Sequence, residues 1–190
     1  SLDSLQADRF KTITRIGDLD TVLQGIDRAV ECGFDRIRLN AVILDGLNRD
    51  EVVPLTYYAL EKGIHIAFIE EMPLGQVNVG GKPLAYVSSD TLQQELAEHF
   101  SLVPMTASDT AGPARDFLIA GSQTQVGFIS PHSQNFCAQC NRLRISAEGR
   151  LLMCLGNEES IDLRGLLRAG STDEEIKTNH SNSTCLGSGD

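Results

Sequence analysis

"DLDTVLQGIDRAVECGFDRIRLNAVILDGLN", residues 18–48, carries the clearest fold signal in this 190-residue sequence. Its first half repeats apolar residues at helical spacing, with Asp18 as the predicted N-cap and Gly33 as the predicted stop. Its second half, Asp35 to Leu44, is rich in branched apolar residues and ends in an apolar run, which is typical of a strand buried on both faces. The stretch therefore predicts a helix followed by a buried strand.

The same alternation continues towards the C-terminus. A second helix is predicted from about Arg49 to Lys62, ended by Gly63, and "IHIAFIEEM" (64–72) predicts another strand. Helix and strand repeats joined by short turns indicate right-handed parallel units, either in a doubly wound sheet or in a β/α barrel. Both folds place functional residues beyond the carboxyl ends of the strands.

The pattern changes near residue 100. After a glycine-rich loop, "SSDTLQQELAEHF" (88–100) predicts a helix capped by Ser89 or Asp90. Beyond it, "RDFLIAG" (115–121) and "TQVGFIS" (124–130) predict a hairpin. A short amphipathic helix is predicted in "SIDLRGLLRAG" (160–170), and the polar residues that follow are expected to fray.

Composition excludes several classes of function. The chain has 26 acidic and 16 Lys or Arg residues and a formal charge of -10, which opposes broad binding to nucleic acid. No apolar run reaches the roughly 20 residues of a membrane span, and the start does not resemble a signal peptide. We therefore expect a cytoplasmic protein that binds neither nucleic acid nor a membrane. The first residues, "SLDSL", read like a strand end entering a turn, so we expect a piece of a larger fold.

Three of the five cysteines are clustered with the spacing C-x2-C-x13-C. They are Cys137, Cys140 and Cys154, and this distribution favours metal ligation in a reducing compartment over a disulfide framework. Structural zinc takes four ligands, so a zinc knuckle would need His132 or Cys185 as the fourth. A 4Fe-4S cluster held by three cysteines instead leaves one iron open to a substrate. The spacing alone leaves both alternatives open.

Two arginines follow the cysteines directly. Arg142 and Arg144 alternate along a predicted short strand, "NRLRIS" (141–146), so they share a face and could grip a phosphate or carboxylate. The alternative is a solvated edge strand paired with acids. Arg38, inside a predicted strand, faces either a ligand or solvent. Cys32, at a helix end, is expected to be a core thiol.

Other polar residues near the predicted strand end receive structural interpretations. His65 is expected to be a hydrogen-bonded core histidine, and Met72 to be core packing. Glu70 and Glu71 are adjacent on a strand and point to opposite faces, so they do not form an acid/base pair.

These motifs together resemble the molybdenum cofactor biosynthesis protein A family, over roughly residues 1–172. The resemblance is carried by "CGFDRIRLNAVILDGLN" (32–48), "FIEEMPLG" (68–75), "GPAR" (112–115), "GFISPHSQNFCAQCNRLRISAEGRLLMCL" (127–155) and "IDLRGLLRAG" (161–170). The sequence is similar to the C-terminal two thirds of these radical S-adenosylmethionine enzymes, which act as GTP 3′,8-cyclases in molybdopterin biosynthesis. The cysteine block is the most specific part.

The resemblance implies an α/β fold, the C-terminal part of an incomplete β/α (TIM-like) barrel followed by a cluster-binding extension. It implies a partial radical-SAM barrel in residues 1–100 and a region for a 4Fe-4S cluster and GTP in residues 101–172. Residues 173–190 are then expected to be disordered or foreign to the family.

The resemblance also implies a reaction and its site residues. In the family a 5′-deoxyadenosyl radical abstracts hydrogen from C3′ of GTP, and C3′ attacks C8 to give (8S)-3′,8-cyclo-7,8-dihydroguanosine 5′-triphosphate. The implied ligands of the C-terminal cluster are Cys137, Cys140 and Cys154. The implied GTP contacts are Arg38, Arg142, Leu143 and Arg144, and the implied S-adenosylmethionine contacts are Ser1 and Met72.

One departure from the family limits what this chain can do. The family generates its radical at a second 4Fe-4S cluster on a C-x3-C-x2-C loop, and that motif does not occur in these 190 residues. We therefore expect no catalytic residue in this chain and no cyclisation by the chain alone. The expected partners are GTP, S-adenosylmethionine and, in a homodimer, a second copy of the chain. A zinc- or cluster-stabilised binding module without catalysis is the alternative function.

Overall fold

The structure is a computed structural model. It describes residues 1–72, 78–79, 82–83, 85–106, 113–133, 143–152 and 160–177, and at 78–79 and 82–83 only the backbone. The chain divides into two compact units, Ser1–Ala138 and Gln139–Asp190. The predicted functional division at residues 100 and 172 stays a prediction.

The first unit alternates helices and strands between residues 19 and 70, as the sequence predicts. One further helix precedes these elements, and short strands and a helix follow them. Its described helices are α1 (Ala7–Thr14), α2 (Leu19–Glu31), α3 (Val52–Lys62) and α4 (Ser89–Ala97). Its strands are β1 (Arg38–Asp45), β2 (His65–Glu70), β3 (Asn78–Val79), β4 (Lys82–Pro83), β5 (Ala85–Tyr86), β6 (Leu102–Pro104), β7 (Ala114–Ile119) and β8 (Gln125–Ile129). A 3-10 turn, Arg49–Glu51, precedes α3.

Six of these strands form one sheet in the order β5-β1-β2-β8-β7-β6. The three strands β1, β2 and β8 are parallel, and β5, β7 and β6 join antiparallel. The sheet curls into a half-barrel, which confirms a mixed α/β fold consistent with a partial barrel. The predicted hairpin at 115–130 is confirmed by the β7–β8 pairing. A TIM-like barrel with a cluster-binding extension stays a prediction.

The core lies between this sheet and its helices. Alternate residues of the central strands are fully buried against apolar helix residues, because successive strand residues point to opposite faces. The largest buried apolar side chains of this core are Leu2, Ile43, Leu55, Ile66, Phe68, Leu92, Leu96 and Phe128. Phe68 and Phe128 lie side by side in the β2–β8 register, with ring centroids 6.3 Å apart.

The helix ends follow local capping chemistry, with one correction. Asp18 caps α2, accepting a hydrogen bond from the Thr21 N–H at 2.8 Å, as predicted. Gly63 ends α3 in the left-handed region with φ of 66°. The predicted cap of α4 at Ser89 or Asp90 is wrong, because the Ser88 hydroxyl accepts from the Thr91 N–H at 3.2 Å.

The second unit contains a small antiparallel sheet in the order β11-β10-β9. Its strands are β9 (Arg144–Ile145), β10 (Arg150–Leu152) and β11 (Ser160–Asp162), followed by helix α5 (Leu163–Arg168). The helix predicted over 160–170 therefore begins three residues late, since Ser160–Asp162 pairs with β10. The Asp162 carboxylate caps α5 by accepting from the Gly165 N–H at 2.9 Å. Residues 173–177, within the predicted tail, are also helical.

Among the described residues, no helix is long and apolar enough to cross a membrane.

Candidate functional site

One face of the six-stranded sheet carries polar side chains and is not packed by the helices. The strand register places these residues on one side, and we call this surface the open face. Its polar residues are Arg38, Asn40, His65, Asp116 and Gln125, and its small or apolar residues are Val42, Ala67, Ile69, Val103, Ala114, Leu118, Gly127 and Ile129. The open face is the inner side of the half-barrel, where a ligand could be enclosed.

Arg38 lies on the open face and is paired with a residue that sequence reasoning missed. Its Nη2 is 2.7 Å from Asp116 Oδ1, and the two side chains are 22% and 20% exposed. Gln125 Oε1 lies 3.5 Å from the same nitrogen and also accepts from Arg36 Nη2 at 3.1 Å. Within the described part of the chain, Arg38 Nε is buried without a hydrogen-bond partner. The guanidinium is thus held in place through Nη2, and its buried Nε–H is unused among the described residues.

Glycine makes room for this ion pair. A Cβ at Gly127 would lie 2.5 Å from Asp116 Oδ1, so a larger residue at this position of β8 would displace the carboxylate from its place beside Arg38. Sequence alone offers no signal for the pair, since its partners are 78 positions apart.

His65 stands next to Arg38 on the open face, so its predicted hydrogen bond is confirmed, but its predicted place in the core is wrong because the side chain is only half-buried there. Its Nδ1 accepts from the Gln125 N–H at 3.1 Å. Burial lowers the pKa of His65, and the nearby positive charges of Arg36 and Arg38 lower it further, against a smaller opposing effect of Asp116. A neutral imidazole is therefore favoured at this position.

The predicted S-adenosylmethionine contacts lie in the first unit near β1 and β2. Ser1 is exposed and precedes Leu2, whose N–H donates to Asn40 O of β1 at 2.9 Å. Met72 is half-buried and follows the end of β2 by two residues. Arg38, by contrast, begins β1. It therefore lies at the amino end of its strand, whereas folds of this kind place functional residues beyond the carboxyl ends of the strands.

The end of β2 holds a buried carboxylate to which the sequence assigns no catalytic role. Glu70 is 1% exposed and accepts hydrogen bonds from the N–H groups of Ser89, His132 and Ser133 and from the Ser133 hydroxyl. Burial acts to raise the pKa of Glu70, but the hydrogen bonds from Ser133 and Ser89 outweigh it and the pKa is lowered. The sequence did contain a signal for these contacts, because a carboxylate in a buried strand must have hydrogen-bond donors or a cation beside it.

The second unit holds the described part of the predicted GTP-contacting run. Leu143 is 54% exposed, and Arg144 is exposed on β9 opposite Leu152. Exposure leaves both residues accessible to a ligand. Arg142 and the predicted ligands Cys137, Cys140 and Cys154 lie outside the described residues, as does Cys185.

The described residues also bear on metal binding and on the environment of Cys32. Within the described ranges, no group of three or more His, Cys, Asp or Glu side chains could hold a metal ion. The expectation that Cys32 is a core thiol is wrong, because Cys32 is exposed. Val30 packs against the core, and Cys32 lies two positions later. Two positions of a helix correspond to a rotation of roughly 200°, which turns Cys32 away from that core.

Comparison with known proteins identifies the family. The sequence profile of the family described as Molybdenum Cofactor Synthesis C matches residues 64–184. A GTP 3′,8-cyclase of Pseudomonas putida (strain W619) is 53% identical over 176 residues, which is 92% of this chain and 52% of that protein. GTP 3′,8-cyclases of Ectopseudomonas mendocina and Saccharophagus degradans are 51% and 50% identical over 92% and 89% of the chain.

The chain spans about half the length of these curated relatives. The profile match covers more than half of the chain. It includes every strand of the six-stranded sheet except β1, and it includes the three clustered cysteines. The resemblance read from the motifs is thereby confirmed. The chain belongs to the Molybdenum Cofactor Synthesis C family.

Proposed function

We propose that this chain supplies the GTP-binding and C-terminal cluster-binding part of a GTP 3′,8-cyclase of molybdenum cofactor biosynthesis. The observation that carries the proposal is the 53% identity to a GTP 3′,8-cyclase over 92% of the chain. The reaction is then the one that the resemblance implies, in which GTP is cyclised between C3′ and C8 by a radical derived from S-adenosylmethionine. A cytoplasmic location fits the reducing compartment that the clustered cysteines favour.

Cys137, Cys140 and Cys154 are the proposed ligands of the cluster. Three thiolates are a donor set suited to a 4Fe-4S cluster and leave one iron without a protein ligand. When bound, that open iron supplies a Lewis-acid position for GTP. The zinc alternative needs a fourth ligand such as His132. In the structure the ring of His132 stacks on Tyr86 with centroids 4.2 Å apart, which supports a packing role for this side chain, and the backbone N–H of His132 donates to Glu70.

The arginines are proposed to bind the anionic part of GTP. Arg144 and Leu143 are exposed, and an arginine fork matches phosphate oxygens better than lysine does. Arg38, at the amino end of β1, is proposed as a further GTP contact, supported by its position on the open face and the 22% exposure of its side chain. Asp116 holds the Arg38 guanidinium in one orientation, which reduces the entropy lost when an anion binds.

Ser1 and Met72 are proposed to contact S-adenosylmethionine, and no residue of this chain is assigned a catalytic role. The C-x3-C-x2-C loop on which the family forms its radical is absent from this sequence. The isolated chain should therefore bind GTP but produce no 5′-deoxyadenosine from S-adenosylmethionine. Product analysis by chromatography would show such cleavage directly.

The proposal is tested by anaerobic reconstitution followed by elemental analysis and spectroscopy. We expect about four irons per chain, as in one 4Fe-4S cluster, and a cluster spectrum that changes when GTP is added. Cys137→Ser should abolish iron binding, whereas Cys32→Ser, which removes an exposed thiol outside the cysteine cluster, should not. Stoichiometric zinc without iron, and no response to GTP, would instead identify a zinc-stabilised binding module.

A further inference from the structure

Glu70 is a buried charge that the proposed function does not use. It is the last residue of β2, and none of the ion pairs among the described residues includes it. Its Oε1 accepts from the Ser89 N–H at 2.7 Å and the Ser133 hydroxyl at 2.6 Å. Its Oε2 accepts from the N–H groups of His132 at 3.1 Å and Ser133 at 2.8 Å. Hydrogen-bond donors rather than a cation thus balance the charge.

These four hydrogen bonds join three places in the first unit. One is the end of β2, one is the first turn of α4, and one is the turn at residues 131–133 that follows β8. The same turn is held by the stacking of His132 on Tyr86 and follows Ser130, whose hydroxyl donates to Ser89 Oγ at 2.8 Å. The turn is therefore fixed to the sheet by several contacts, of which the Glu70 carboxylate provides the most.

The position of this turn in the sequence gives the contacts a consequence. Ser133 precedes Cys137 by four residues, and Glu70 precedes Met72 by two. One carboxylate thus anchors the chain directly before the first proposed cluster ligand and directly before a proposed S-adenosylmethionine contact. A segment that carries metal ligands binds more tightly when its stem is already ordered, since less conformational entropy is lost on binding.

We propose that Glu70 is a positioning residue that fixes the turn at residues 131–133 and so holds the stem of the cysteine-bearing segment for metal binding. This inference rests on the proposed function. A carboxylate is required because all four partners are donors. In Glu70→Gln the new side-chain amide would present its NH2 group towards N–H groups and lose the hydrogen bonds on that side.

A second buried carboxylate in the first unit provides a matched control. Glu51 is 2% exposed and accepts from Ser4 Oγ at 2.6 Å, from the Leu5 N–H at 2.5 Å and from Arg9 Nη1 at 2.6 Å. Glu51→Gln therefore disturbs a buried, hydrogen-bonded carboxylate that, unlike Glu70, also pairs with an arginine, and whose partners all lie far from the three clustered cysteines in the sequence.

Two further variants separate the carboxylate from its surroundings. Glu71→Gln changes the neighbouring, half-buried acid and leaves Glu70 in place. Ser133→Ala removes one of the four hydrogen bonds and keeps the carboxylate, so it tests the site even if Glu70→Gln folds poorly.

The experiment measures iron release to a chelator from the reconstituted chain, amide exchange at Ser130, His132 and Ser133, and the thermal midpoint of each variant. We expect iron release from Glu70→Gln to be about tenfold faster than from the wild type, as for supporting residues around other metal ligands. Ser133→Ala should show a smaller acceleration, and Glu51→Gln and Glu71→Gln should release iron at the wild-type rate. Exchange at His132 and Ser133 should accelerate only in the Glu70 and Ser133 variants.

Equal iron release from Glu70→Gln and Glu51→Gln, at matched thermal midpoints, would overturn the inference. If the wild-type chain bound no iron, the proposed function would fail. Amide exchange alone would then decide whether Glu70 anchors the turn at residues 131–133. In that case unchanged amide exchange in Glu70→Gln would overturn the anchoring, and faster exchange confined to Ser130, His132 and Ser133 would support it.

Discussion

Arg144 is the described residue through which the proposed GTP site is tested most directly. Its guanidinium is exposed on β9, and a charge-assisted contact to phosphate contributes more than a neutral hydrogen bond. Arg144→Ala should therefore weaken GTP binding to the reconstituted chain by about 1.5–3 kcal/mol, roughly tenfold to a hundredfold. The same loss is expected for Arg142→Ala. Isothermal titration under anaerobic conditions measures both.

Arg150→Ala is the control for these two variants. Arg150 lies in the same small sheet, but its guanidinium already donates to the hydroxyl and carbonyl oxygens of Ser160 at 2.8 and 3.1 Å. We expect GTP affinity to be unchanged in Arg150→Ala. Unchanged affinity in Arg142→Ala and Arg144→Ala as well would contradict the assignment of both arginines.

His65 gives a prediction for pH at the residue scale. Because its pKa in the folded chain is below the ordinary 6.5, the unfolded chain binds a proton more readily as the pH falls. The contribution of neutral His65 to the unfolding free energy is therefore complete above about pH 6.5. It is lost as the pH falls through the pKa that His65 has in the folded chain. The imidazole resonances should titrate below 6.5 in NMR spectra. The difference in unfolding free energy between the wild type and His65→Gln should shrink on acidification, and an imidazole that titrates at its ordinary pKa or above would contradict this.

At the residue scale, sequence patterns predict candidate chemistry but give no indication of long-range partners. The three clustered cysteines and the arginines beside them stand out because metal and phosphate ligation need particular residue types at short spacing. Asp116, by contrast, meets Arg38 only because β2 and β8 bring β1 and β7 into one curled sheet. Nothing local to either residue encodes that pairing. The hydrogen bonds of Glu70 escape sequence reasoning for the same reason, since its donors are 19 to 63 positions away.

At the scale of elements, the cross-strand packing of β7 on β8 makes a testable constraint. A Cβ at Gly127 would lie 2.5 Å from Asp116 Oδ1 and 3.3 Å from Ala114 Cβ. Gly127→Ala should therefore cost about 1–3 kcal/mol of unfolding free energy, as overpacking does in other cores. Most of that cost should disappear when the substitution is made in an Asp116→Ser background, because the crowded carboxylate is gone. Urea denaturation of the four proteins in this cycle gives the coupling.

Gly25→Ala is the matched control for the Gly127 substitution. Gly25 lies inside α2, and nothing lies within 4 Å of the position that a Cβ would take there, so alanine adds no contact. Alanine in a helix interior should instead stabilise the chain by about 0.5–1 kcal/mol. Equal effects of the two substitutions would show that crowding by Asp116 is not the cause.

Elements with strong local patterns are predictable from the sequence, and those defined by pairing are not. Helix α2 and strands β1 and β2 follow directly from the periodicity of residues 18–72, and the β7–β8 hairpin from its apolar runs. Helix α1 escapes detection because it buries only one residue, Phe10, and so lacks an apolar stripe. Strand β11 resembles helix in the sequence because its three residues acquire their conformation by pairing with β10. Ser88, rather than Ser89, caps α4 because the Ser89 side chain is turned inward to Ser130.

At the scale of the whole molecule, the open face bears on association of the chain. Val42 and Val103 are 37% and 47% exposed on this face, which leaves apolar surface on the side of the sheet that carries Arg38. The edge strands β5 and β6 have only two and three residues, and β6 ends at Pro104, which cannot donate a ladder hydrogen bond, so pairing of edges between copies is disfavoured. Association through the exposed valines of the open face is therefore the expectation, in keeping with the predicted homodimer, and it would compete with a ligand bound at Arg38.

Sedimentation velocity at increasing protein concentration measures this association. We expect the weight-average sedimentation coefficient to rise with concentration for the wild type, because two open faces bury apolar area when they meet. Val42→Ser should lower the association constant by about threefold to tenfold, the effect of losing part of one buried apolar side chain. Ile16→Ser, which changes a residue 95% exposed outside the sheet, should leave it unchanged. A single monomeric species at every concentration would contradict the prediction, because the exposed valines would then be insufficient to bring two copies together.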